Sequence, residues 1–139
     1  AEAQACSVVR APTHSPIAAE MPNAPAKSNG ISELQDGQKR ILVIDFGSQV
    51  THLICRRVRE AGVYCELRSC LVKLDELTSF APTGIILSGG PHSVYDKESP
   101  HLDKAIWAHI EQMQLPVFGI CYGLQEICHS LGGKVEAGT

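Results

Sequence analysis

From Ile41 onward, short apolar runs alternate with amphipathic stripes, and glycine and proline separate them. Ile41-Leu42-Val43-Ile44 has no polar position, the pattern of a strand covered on both faces. Val50, Leu53, Ile54, Val58 and Ala61 then recur at helical steps, with Arg56, Arg57, Arg59 and Glu60 opposite. This predicts a helix over 49–61, stopped by Gly62. Val63 to Arg68 predicts a second strand, Asp75 to Phe80 a helical turn, and Gly84 to Leu87 a third strand, ended by Gly89-Gly90-Pro91. After a polar loop through Pro100, Leu102, Ala105, Ile106, His109, Ile110 and Met113 share one helical face. Pro116 closes that helix off from a fourth strand over 116–120. Leu124, Ile127, Cys128 and Leu131 form a last stripe, which predicts a buried face on a helix running from Cys121 to Gly132-Gly133.

Strand and helix alternate without an internal repeat, the order of an α/β fold with a mostly parallel sheet and helices on both faces. In such a sheet the functional crevice lies beyond the carboxyl ends of the strands. Residues 1–39 show no period and carry prolines at 12, 16, 22 and 25 among Ala, Ser and Asn. A flexible tail is expected there, with the folded part over 40–139. Glu2, Glu20 and a single arginine in that tail, Arg10, fit a transit peptide poorly.

Composition narrows the class. At 139 residues and 44% hydrophobic, the chain suits one domain with one packed core. A net charge of -3 supplies no field that favours nucleic acid or an anionic membrane surface. No apolar stretch nears the roughly 18 residues of a membrane helix. Six cysteines (Cys6, Cys55, Cys65, Cys70, Cys121 and Cys128) contain no CxxC pair, and four lie in apolar periodic segments. Reduced thiols in a cytoplasmic protein are expected, with no disulfide frame and no metal site.

The crevice rule singles out three loops: Asp45-Phe46-Gly47-Ser48-Gln49, Ser88-Gly89-Gly90-Pro91 and Cys121-Tyr122-Gly123. Gly119-Ile120-Cys121-Tyr122-Gly123 has the glycine-x-nucleophile-x-glycine layout of a nucleophile elbow. A thiol at a helix N-terminus has its thiolate stabilised by unpaired N–H groups, and a double glycine lets backbone amides approach an anion. A lone Gly-x-Cys-x-Gly is more often a turn around a small buried side chain. Its place at a strand end beside Gly89-Gly90 tips it toward chemistry.

Gly119 to Gln125 resembles the nucleophile motif of class I glutamine amidotransferases, and Leu87-Ser88-Gly89-Gly90-Pro91 resembles their oxyanion loop. Tyr122 after the cysteine, with Ile44 to Gln49 and the Arg56 to Glu60 helix, is similar to the amidotransferase domains of GMP synthases in particular. The likeness covers about residues 40 to 139. It implies a three-layer sheet of flavodoxin-like order, incomplete at the C-terminus. The implied chemistry is hydrolysis of the glutamine side-chain amide through a thioester on Cys121. By the same resemblance the backbone N–H groups of Gly90 and Tyr122 are oxyanion donors, while Gly89 and Gln125 serve the substrate. The ammonia would pass to an ATP-pyrophosphatase synthetase domain, which uses ATP and magnesium to aminate XMP to GMP. None of the present residues reads as touching a nucleotide.

The family's base is a histidine and a glutamate one residue apart, well downstream of the cysteine. No such pair follows Cys121 through Thr139, so this stretch alone is expected to hydrolyse glutamine poorly. His109-Ile110-Glu111 imitates the pair, but at about 100° per residue the two side chains point about 200° apart. His109 is expected to be a hydrogen-bonded core residue. His52 and His129 read as surface or packing residues and His101 as a helix start; His14 lies in the tail. His92, after the Gly89-Gly90-Pro91 loop, is the histidine expected nearest the site, though an accessory contact is the minority reading for it. Cys55, Cys65, Cys70 and Cys128 are expected to be inert, and Arg56, Arg57 and Arg59 to form a solvated face. Two alternatives stay open. One is another class I amidotransferase, serving anthranilate, carbamoyl phosphate or CTP synthesis, against which Tyr122 and Asp45 to Gln49 argue. The other is a non-catalytic interaction module that binds through an uncovered sheet edge.

Overall fold

Arg40–Asp45 forms the first strand, β1, and the uniformly apolar Leu42, Val43 and Ile44 are all buried. The computed structural model describes residues 39–136, so the tail expected over residues 1–39 lies outside the described residues except for Lys39. After β1 come α1 (Thr51–Glu60), β2 (Tyr64–Ser69), α2 (Leu74–Phe80), β3 (Gly84–Leu87), α3 (Lys104–Met113), β4 (Val117–Gly119) and α4 (Tyr122–Ser130). The sheet order is β2-β1-β3-β4 and every pairing is parallel, as the alternation of elements predicts. Val43, for example, pairs with Leu67 on one side and Ile86 on the other.

Period-two alternation divides β1 between two cores. Leu42 and Ile44 face one layer with Ile85, Leu87, Leu77 of α2, and Ile106 and Ile110 of α3. Val43 faces the other, against Cys55 of α1 and Cys65 of β2. Helices therefore cover both faces, and each fully buried aliphatic side chain contributes about 1.5–3 kcal/mol. The helix ends follow local chemistry. Asp103 caps α3 by accepting from the Ala105 N–H at 2.9 Å, and Gly62 follows α1 with φ of 76°.

Three stripes are rotated from their predicted faces. On α1 the buried residues are Thr51 and Cys55, while Val50 and Leu53 are half exposed. The Thr51 hydroxyl is bonded to Asp45 and Ser88, which turns that side of the helix inward. On α3 Ile106 and Ile110 are buried, but Ala105 and Met113 are exposed. His109 is half-buried and lines a shallow surface cavity with Thr78, Pro82 and Leu115, so it is not the core histidine expected. On α4 the buried residues are Tyr122, Gly123 and Glu126; Leu124, Ile127 and Cys128 are half-buried and Leu131 is exposed. Close packing of the first turn of α4 on Leu87 and Phe46 sets that face.

Candidate active site

The carboxyl ends of β1, β3 and β4 bring the three singled-out loops together. A Cβ added to Gly89 would lie 3.5 Å from the Cβ of Cys121 and 3.7 Å from Oγ of Ser48, so all three loops meet at this glycine. At Gly90 a Cβ would collide with the Phe46 carbonyl oxygen, which restricts that position to glycine. The Ser88 hydroxyl, fully buried, accepts from the Phe46 N–H at 3.3 Å, and its oxygen lies 3.0 Å from both the Thr51 hydroxyl oxygen and the Gly89 carbonyl.

The turn between β4 and α4 is a nucleophile elbow in geometry as well as in pattern. Cys121 has φ of 50° and ψ of -111°, a backbone conformation that a side chain opposes, and it is exposed. Gly119 and Gly123 explain why the turn is so tight. A Cβ on Gly119 would lie 2.6 Å from the Gly123 carbonyl carbon, and one on Gly123 would run into the Leu87 carbonyl. The Gly123 N–H donates to Ser88 O at 3.1 Å, joining the elbow to the Gly89-Gly90 loop. Leu124 and Gln125 donate to Cys121 O at 3.0 and 3.2 Å and start the helix. The thiol thus stands over a helix N-terminus, where unpaired N–H groups favour negative charge.

Asp45 organises the neighbouring turn. One carboxylate oxygen accepts from the N–H groups of Gly47 (2.9 Å) and Ser48 (3.0 Å) and from the Thr51 hydroxyl (2.7 Å). Burial pushes this carboxyl up, but the Thr51 hydroxyl, the two N–H groups and the Ser88 hydroxyl outweigh it and hold it below the ordinary carboxylate range.

The other predicted site residues take definite places. Gln125 turns its side-chain carbonyl to the N–H of Val94, at 3.1 Å, in the segment after the Gly89-Gly90 loop. The Tyr122 hydroxyl donates to the Pro100 carbonyl, and its ring centroid lies 5.0 Å from that of Phe46. His92, His52 and His129 are exposed. Among the described residues, no hydrogen bond joins a histidine to Cys121. Cys55, Cys65, Cys70, Cys121 and Cys128 are free thiols, and burial pushes Cys55 and Cys70 up, away from reactivity. Sequence reasoning passed over Glu126, which is buried against the His101 ring. Its position four residues after Tyr122, hence on the same helix face, was the available signal.

This geometry offers an exposed thiol at a helix N-terminus with a double-glycine backbone against it, an arrangement suited to attack on a carbonyl carbon. The family model of glutamine amidotransferase class-I matches residues 42–139. A GMP synthase [glutamine-hydrolyzing] of Neisseria gonorrhoeae is 55% identical over 102 residues, covering 73% of this chain and 19% of that protein. One from Alcanivorax borkumensis is 54% identical over 100 residues, covering 72% and 18%. The chain thus spans under a fifth of the length of these curated relatives. Among solved structures, a Thermoplasma acidophilum protein assigned as part of a GMP synthase superposes with a TM-score of 0.56 and 32% identity, over 70% of this chain and 47% of that one. No helix among the described residues is long and apolar enough to cross a membrane. With the family model matched over most of its length, and with the elbow and double-glycine loop in place, the chain belongs to the class I glutamine amidotransferases.

Proposed function

We propose that this chain is the glutamine-hydrolysing part of a GMP synthase, with Cys121 as its nucleophile. The observation that carries the reading is the strained, exposed Cys121 at the start of α4, with the Gly89 backbone against it. The Cys121 thiolate attacks the side-chain amide carbon of glutamine, and the carbonyl π electrons move onto oxygen. Backbone N–H groups of Gly90 and Tyr122 receive that oxyanion, each contributing about 3 kcal/mol. Tyr122 is the first residue of α4, where an N–H has no intrahelical acceptor. Collapse of the intermediate breaks the C–N bond, and the amide nitrogen leaves as ammonia after receiving the thiol's proton from the conjugate acid of the general base. Water then cleaves the thioester to glutamate. The base is not assigned among the described residues, since no histidine there is bonded to Cys121.

Gly89 shapes the substrate-facing wall, and the amide NH2 of Gln125, whose carbonyl Val94 occupies, is the group left to meet the substrate. The ammonia would serve the ATP- and magnesium-dependent amination of XMP in a synthetase domain of the same protein, in the cytoplasm. The named relatives and the Tyr122 variant of the motif support that choice over other amidotransferases. Treating the protein with a glutamine-analogue electrophile and mapping adducts by mass spectrometry should place the label on Cys121. Label distributed among the cysteines would sink the reading.

A further inference from the structure

Away from the thiol, three side chains with metal-binding chemistry meet where the segment before α3 crosses α4. His101, Glu126 and His129 each offer one ligand atom, and these atoms lie within 4.8 Å of one another. Glu126 and His129 are three residues apart and so share a face of α4, while His101 comes from the crossing segment. The Glu126 side chain is 1% exposed, and a carboxylate that deep is costly unless its charge is answered. One of its oxygens accepts from the Leu102 N–H at 3.1 Å. The other faces Nδ1 of His101 at 2.8 Å. The His101 and His129 rings stack with centroids 4.9 Å apart.

Hydrogen-bond bookkeeping around His101 shows which of its nitrogens is left to face Glu126. Ser99 has a single hydroxyl proton, and its Oγ lies 2.8 Å from the Asp96 carbonyl, which can only accept. Toward Nε2 of His101, 3.1 Å away, Ser99 is therefore the acceptor and Nε2 carries the hydrogen. Nδ1 is then the ring nitrogen turned to the Glu126 carboxylate, 2.8 Å away, with its lone pair on the side of the cluster.

We propose that His101, Glu126 and His129 form a site for a divalent transition-metal ion, with zinc the best chemical match. Two imidazoles and one carboxylate make up a known three-residue donor set for zinc, with the fourth position left to water. The half-exposed His101 and the exposed His129 leave that position open to solvent. Ser99 serves as the outer partner that fixes the tautomer of a ligating histidine. A bound ion would tie the segment ahead of α3 to the helix that begins at Cys121. The site stands independently of the glutaminase reading.

The test is titration of the full chain with zinc alone by calorimetry, with cobalt as a spectroscopic stand-in. Expected are one zinc per chain and weakening by about 10- to 100-fold or more in each of His129→Ala and His101→Ala. The cobalt form should show nitrogen and oxygen ligation without thiolate charge-transfer bands. Absence of zinc uptake, uptake unchanged in both variants, or thiolate bands from the cysteines would each overturn the proposal. His129 is exposed, so its variant should keep the wild-type unfolding midpoint; should His101→Ala fail to fold, His129→Ala decides alone.

Discussion

Two strand-to-helix turns lie together at the carboxyl edge of the sheet and are built in opposite ways. The turn after β1 is saturated, with the Asp45 carboxylate accepting from two N–H groups and two hydroxyls. The turn after β4 leaves its central side chain without a capping bond and holds its backbone at positive φ. Ser88 touches both, accepting from the Phe46 N–H through its hydroxyl and from the Gly123 N–H through its carbonyl. The difference separates support from reactivity: strain of about 1–3 kcal/mol at Cys121 persists because a rigid neighbour holds its surroundings in place.

The sharpest test of that division is Cys121→Ala in the full protein. On the proposed function, glutamine-dependent product formation should fall by about three orders of magnitude or more, while activity with added ammonia and the unfolding midpoint are retained. An equal loss with ammonia would mean that this turn is structural as well. Next in size is Gly123→Ala, whose methyl would strike the Leu87 carbonyl; denaturant unfolding should register a loss of about 3 kcal/mol.

Asp45→Asn probes the saturated turn and should cost about 2 kcal/mol near neutral pH. Because the folded carboxyl titrates below its ordinary range, its contribution is present above that range and is lost as pH falls through the depressed value. Wild type and variant should therefore converge in stability as pH falls below the ordinary carboxylate range, and parallel stability curves would contradict the network. Tyr122→Phe is the smallest change. Losing the bond to the Pro100 carbonyl should cost about 1 kcal/mol by the same unfolding measurement, with Cys121 labelling intact.

The sheet was legible because its signal is local: Ile41 to Ile44 and Gly84 to Leu87 are apolar without interruption, and the structure places strands there. So was the elbow, since Gly119 and Gly123 are required by contacts within a few residues of Cys121 and with β3. Helix rotation was not legible. Thr51 is buried through hydroxyl bonds to residues 6 and 37 positions away, which no hydrophobic period encodes. Glu126 was missed for a related reason, because a charged residue on a buried face is recognisable only once Leu102 and His101 are seen against it. His109 looked like core from its stripe, yet it sits where α3 leaves a groove beside Thr78 and Pro82.

The first turns of α4 hold the segment before α3 at three points: Gln125 accepts from Val94, Glu126 accepts from Leu102, and Tyr122 donates to Pro100. That segment has no regular secondary structure, yet two of its amides are bonded to side chains of a helix. In deuterium exchange, Val94 and Leu102 should open with α4 as one cooperative unit and not on the timescale of a surface loop. The wall beside the thiol would then move only when the helix carrying the thiol moves.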